Sequence, residues 1–165
     1  MISSKAFLLL PVLCVGLTSI LVAGCGNRHE SFYRTIADAD KDGAITRGWI
    51  PDDLLPGGSC AIHEVHEISP STEWCALEFP PTDSQGLRKN LKSVDVLPPS
   101  VRRVPSPGVS WWPAVLNGNL DIEKIHREGF ELYVVQVPAT SVNTDVLLFA
   151  IDGAKGRGFF YRTHE

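Results

Sequence analysis

Apolar residues crowd the first two dozen positions, then thin into short runs whose spacing changes from element to element. Residues 6–15 are almost wholly apolar, broken only by Pro11, and 16–23 end in small residues. Beyond them, Ser31 has N-cap chemistry, and Phe32, Ile36 and Ala39 fall near helical spacing before Gly43, which predicts a short helix. Pro and Gly punctuate 48–58 as a connection. Residues 61–68 and 73–79 are rich in branched and aromatic side chains and predict two strands, turning as a hairpin through 69–72. A short helix is expected over 85–92, then a Pro-rich extended stretch over 94–113. Asn119 is the expected N-cap of a helix over 120–128, with acids in its first turn, bases in its last, and Gly129 just beyond its end. Three more strands follow at 131–138, 145–152 and 158–162, the last two joined by Gly153-Ala154-Lys155-Gly156. No internal repeat is visible. Helix, hairpin, helix and meander predict one small α+β domain over 31–165 with a largely antiparallel sheet.

The apolar head has the parts of a secretory signal: Lys5 and the amino terminus, an apolar centre, and a small-residue end. A spanning helix needs roughly 20 strongly apolar residues, and Pro11, Gly16, Thr18 and Ser19 interrupt this one. Val22-Ala23-Gly24-Cys25 resembles the lipobox of bacterial lipoproteins. The resemblance implies cleavage after Gly24, with Cys25 as a new N-terminus carrying a thioether-linked diacylglycerol and an amide-linked fatty acid. Several chains matter, because a single acyl chain anchors a protein only marginally. Residues 1–24 are then a signal peptide and 25–30 a tether, reaching about 17 Å at roughly 3.3 Å per residue. Gly26, not Asp, follows the cysteine, which under the enteric sorting rule implies the outer membrane of a Gram-negative envelope.

The 165 residues become 141 once 1–24 are removed, enough for one domain with a real core. Losing Lys5 takes the net charge from −4 to −5, so there is no basic field for nucleic acid. An exported compartment permits a disulfide between Cys60 and Cys75. The hairpin as read sets Cys75 opposite His66 and Cys60 on the order of 20 Å further along, whereas a disulfide needs Cα atoms within about 7 Å. Two readings stay open: unpaired thiols, or a fold-back of the chain before Ala61.

Three motifs invite chemistry. Asp38, Asp40, Asp42, Gly43 and Ile45 match the first part of an EF-hand loop, but its twelfth position is Trp49 where a bidentate Glu is needed. Gly48 and Pro51 also break the exiting helix. An acidic helix terminus is the preferred reading, and cation binding the alternative. His63-Glu64-Val65-His66-Glu67 is not the metalloprotease spacing. Two histidines three apart on a strand point to opposite faces, so no metal is assigned. Trp49, Trp74, Trp111 and Trp112 suit core packing first and a ligand groove second. There is no G-x-S-x-G elbow, P-loop or dinucleotide glycine pattern.

An aromatic, acid-containing helix, then Arg47-Gly48-Trp49-Ile50-Pro51, Leu55-Pro56, Ile62-His63-Glu64-Val65-His66 and Trp74, make residues 33–79 similar to the YbbD head-domain family. That family lends no activity, and it does not require the acidic triplet. The expected function is therefore a non-enzymatic envelope lipoprotein, membrane-bound through lipidated Cys25. It would present an interaction surface (Trp49, His63, Glu64, His66, Trp74) to an envelope protein or polymer, without a cofactor. The alternative is a small exported hydrolase or metal-binding protein using Glu64, His66 and Cys75.

Overall fold

The computed structural model describes residues 27–50, 54–56, 58–69, 71–86, 91, 93–138 and 144–164. The signal segment and Cys25 lie outside the described residues, as does most of the helix expected over 85–92. Among the described residues eight strands form: β1 (Arg28–Thr35), β2 (Cys60–Ile68), β3 (Ser71–Glu78), β4 (Arg103–Val104), β5 (Gly118–Asn119), β6 (Glu131–Pro138), β7 (Thr144–Asp152) and β8 (Arg157–His164). Two short α-helices are seen end to end among the described residues, α1 (Ile36–Lys41) and α2 (Ile122–Arg127), and 84–86 are also helical. Six strands make one antiparallel sheet in the order β1-β2-β3-β8-β7-β6, and β4 pairs with β5 apart from it. The α+β class with a largely antiparallel sheet holds.

The central strands read as continuous apolar runs because both faces of the sheet are covered. Along β3, Trp74 and Ala76 point into one core while Cys75 and Leu77 point into the other. Phe149 and Ile151 of β7 share the second face, and Leu148 and Ala150 the first. The first face is roofed by the segment from Leu97 to Phe130, through Val101, Trp112, Leu116 and Ile125. Its many prolines suit a covering layer that needs few ladder hydrogen bonds. The second face is roofed by α1 and the turns after it, through Ala39, Ala44 and Ile50.

Two boundaries differ from expectation. Ser31 is not an N-cap: 28–35 is a strand along β2, and Thr35 caps α1 by accepting from the Asp38 amide at 3.2 Å. Tyr33, not Phe32, turns inward. Likewise Asp121, not Asn119, caps α2, accepting from the Lys124 amide at 3.0 Å, because Asn119 is taken by β5. The β2–β3 connection is also tighter than four residues. Ile68 already pairs with Ser71, so Cys75 stands opposite Glu64 and Glu73 opposite His66. Among the described residues the two cysteines, Cys60 and Cys75, are unpaired.

Candidate functional site

The tight β2–β3 turn sets polar side chains in a row where the second face should be apolar. Residues that oppose each other across a ladder share a face, so Glu64, His66, Glu73 and Arg162 line up from β2 through β3 to β8. Arg162 donates to Glu73 Oε2 at 2.9 Å and its Nε lies 3.8 Å from Asp145 of β7. The loop after α1 closes over this row. Gly48 sits at φ +77°, the left-handed region where glycine is at ease, and its carbonyl accepts from Arg162. That bend lays Trp49 on the His66 ring, 4.0 Å between centroids and 25° apart. His29 of β1 stacks on the same imidazole at 5.0 Å, and the Arg47 guanidinium lies 4.1 Å over the Trp49 ring.

Glu64 is the anomaly. It is 0% exposed, its Oε1 lies 2.7 Å from His66 Nδ1, and among the described residues its Oε2 has no hydrogen-bond partner. Burial, reinforced by the Glu73 charge and only partly offset by Arg47, pushes its carboxyl up to about 8. Burial, together with His29 and Arg47, pushes His66 down. Neutral forms of both are favoured at neutral pH, with the Glu64 carboxyl donating its proton to His66 Nδ1 and leaving Nε2 as the N–H. Beside the ring opens a cleft of about 280 Å³ lined by His29, Trp49, His66, Ile68, Ser71 and Glu73. With Glu67 also on its wall, it offers aromatic faces, two carboxylates and a hydroxyl, and suits a small polar group or one side chain of a larger partner. A larger cavity of about 630 Å³ between α1 and the start of β2 has mostly small and apolar walls.

The sheet divides the residues singled out from the sequence. Trp49, Glu64 and His66 come together on the second face. His63 is on the first, stacked with Trp111 at 5.5 Å and tilted against Phe32 at 4.7 Å. Trp74 is 1% exposed, its indole N–H bonded to the Pro105 carbonyl at 3.0 Å, so it is an anchor for the covering layer. Two of the acidic triplet are occupied locally: Asp38 accepts from the Thr35 hydroxyl at 2.9 Å, and Asp42 from Tyr33 at 2.8 Å while facing Arg47 at 3.7 Å. Among the described residues no three His, Cys, Asp or Glu side chains converge on a metal-sized point.

Cys75 lies directly behind Glu64 in the ladder, fully buried, and burial drives its thiol well above the usual range. It therefore supplies no thiolate. Alkylation by iodoacetamide at pH 8, followed by mass spectrometry, is expected to label half-exposed Cys60 and to reach Cys75 only after unfolding. Rapid labelling of Cys75 in the folded protein would refute the buried assignment.

Fold and site together define a small α+β sheet domain with a histidine-centred cleft. Over residues 28–72 the chain matches the YbbD head domain, a stretch that carries β1, α1, the Trp49 loop and the whole of β2. His29, Arg47, Trp49, Glu64 and His66 all fall inside that match, whereas Glu73, Asp145 and Arg162 fall outside it. No curated protein and no solved structure matches.

Proposed function

We propose that the chain is a lipid-anchored bacterial envelope lipoprotein whose α+β domain binds a polar group of an envelope polymer or protein in the His66–Trp49 cleft. One observation carries the binding half of this reading. A fully buried glutamate, one of its oxygens without a partner among the described residues, sits beneath a stacked histidine that lines a cleft, at a cost to stability. Such costs concentrate at functional sites. The anchoring half rests on the Cys25 motif and the apolar run before it.

Two measurements test it. Metabolic labelling with an alkynyl fatty acid is expected to tag the wild-type protein and not Cys25→Ser; equal labelling would sink the anchor. Retention on purified envelope sacculi and on membrane-protein extracts is expected to fall about tenfold for Trp49→Ala, the loss of one stacking face at roughly 1.4 kcal/mol. Unchanged retention would sink the cleft.

A hydrolytic reading keeps one supporting observation, the Glu64–His66 pair at 2.7 Å, which has the form of a general acid–base dyad. It no longer includes Cys75 as nucleophile. Turnover lost in His66→Gln with binding retained would favour it over simple binding.

A further inference from the structure

The free edge of β1 carries a second, independent feature. β1 ends the six-stranded sheet, and among the described residues nothing pairs with its outer side. The Asn27 carbonyl accepts from the Ile68 amide, so by the alternation of an antiparallel ladder the odd residues of β1 address β2. The backbone N–H and C=O groups of Arg28, Glu30, Phe32 and Arg34 then face outward. The side chains of these same four residues share the first face of the sheet, because Phe32 opposes His63 and Glu30 opposes Val65. Phe32 is 55% exposed, a large apolar group in the middle of an otherwise charged edge.

The charges alternate in sign around it: Glu30, Phe32, Arg34. Edge charges ordinarily discourage strand pairing. Here they are self-complementary in one register. If a second copy pairs antiparallel with Phe32 opposite Phe32, each Glu30 faces an Arg34 of the other copy, twice over. All three residue pairs then use outward-facing backbone groups. A slip of two residues in one direction sets Arg28 against Arg34, and in the other leaves both charges without opposites. From this placement we infer that β1 is a self-association edge: two copies join about a two-fold axis at Phe32 into one twelve-stranded sheet. The Trp111–His63–Phe32 stack continues across the axis into its counterpart. The interface is isologous and at the small end of specific contacts, below about 1,200 Å². The association is therefore reversible.

Disulfide trapping in the full chain carrying Cys60→Ser tests register directly. In a hydrogen-bonded antiparallel pair the facing Cα atoms are about 5.5 Å apart, within disulfide reach. Phe32→Cys is expected to give a cross-linked dimer under mild oxidation. Arg34→Cys alone is expected to give at least tenfold less, whereas Glu30→Cys and Arg34→Cys expressed together should link to each other. In the Phe32→Cys background, Glu30→Arg should cut the yield at least tenfold, and adding Arg34→Glu should restore it. All four substituted positions are exposed or partly so, and unchanged melting of each variant separates lost association from lost folding. No dimer with Phe32→Cys overturns the inference. So does equal cross-linking at positions 32 and 34, or indifference to charge reversal.

Discussion

Glu64→Gln is expected to make the protein more stable at neutral and mildly alkaline pH, by about 2–3 kcal/mol at pH 7. Glu64 titrates near 8 in the fold against 4.5 for an ordinary glutamate. Below about pH 4.5 the carboxyl is protonated whether the chain is folded or not, and it contributes no pH dependence. Between 4.5 and 8 the unfolded chain releases the proton while the folded chain keeps it, so stability falls as pH rises. Above 8 the fold releases it too and the loss levels off at an upper bound of about 5 kcal/mol, counting about 1.4 kcal/mol per pH unit. Gln can still bond His66 Nδ1 and leaves one polar atom unpartnered, as Glu64 does now. The gain therefore comes from removing the titration. Asp152, held low by Arg157 and Lys155 against the opposing effect of burial, loses its contribution only as pH falls through the acid range, outside this window. Thermal unfolding of wild type and Glu64→Gln from pH 4 to 9 should show melting curves that meet near pH 4.5. They should diverge by roughly 6–12 °C at pH 7. His66, pushed down by burial, makes stability rise with pH over the lower part of the same window. The difference between the two proteins is therefore the readout: a gap that does not widen between 4.5 and 8 would refute the buried, uncharged state. The same substitution is expected to weaken binding at the cleft, since Gln cannot hand a proton to His66, and stability gained at the expense of function is a familiar pairing.

The site was half legible in the sequence, and one turn explains the missing half. Glu64 and His66 stand out because charged groups interrupt a run of strand-forming residues. Their same-face placement follows from the period of two. Glu73 and Arg162 are visible only through register. Reading the β2–β3 turn as four residues puts Cys75 opposite His66. The observed pairing of Ile68 with Ser71 puts Glu73 there instead, and Arg162 behind it. A slip of two residues leaves every side chain on its face but changes every neighbour. The last three strands were legible to within two residues at either end, as apolar runs bounded by glycine, proline and acid. β1 was not, because Ser31, Phe32, Ile36 and Ala39 satisfy a helical pattern locally. The sheet edge offered by β2 decides the matter, a tertiary preference that no local window contains. Trp49 and His29 could be ranked only as aromatic and polar; their stacking on His66 depends on that strand and on the bend at Gly48.

The β7–β8 turn packs against the exit of β3 at a single glycine, and replacing it should cost more than any cleft mutation. Gly156 has φ +63°, and a Cβ built there would stand 2.0 Å from the Phe79 carbonyl oxygen and 3.2 Å from the Pro81 ring. Backbone cannot swing aside as a side chain does, so the β3 exit must shift. With it would go the hydrogen bond from the Phe79 amide to the Gly156 carbonyl at 2.8 Å. β3 carries Cys75, Leu77 and Glu73 in the sheet's middle, so the displacement reaches both the core and the cleft. Gly156→Ala is expected to destabilise by about 4 kcal/mol or more, combining left-handed strain with overpacking. Gly118 and Gly129 provide the controls: their φ values are +69° and +91°, yet among the described residues nothing lies within 4 Å of a Cβ at either position. Alanine there should cost only the backbone term, about 1–2 kcal/mol. Urea unfolding of the three variants should therefore leave Gly118→Ala and Gly129→Ala folded with modestly lowered midpoints, and Gly156→Ala largely unfolded or expressed in traces. Equal losses at all three positions would mean that the close approach of Gly156 to Phe79 is not what fixes the turn, and that φ alone sets the cost.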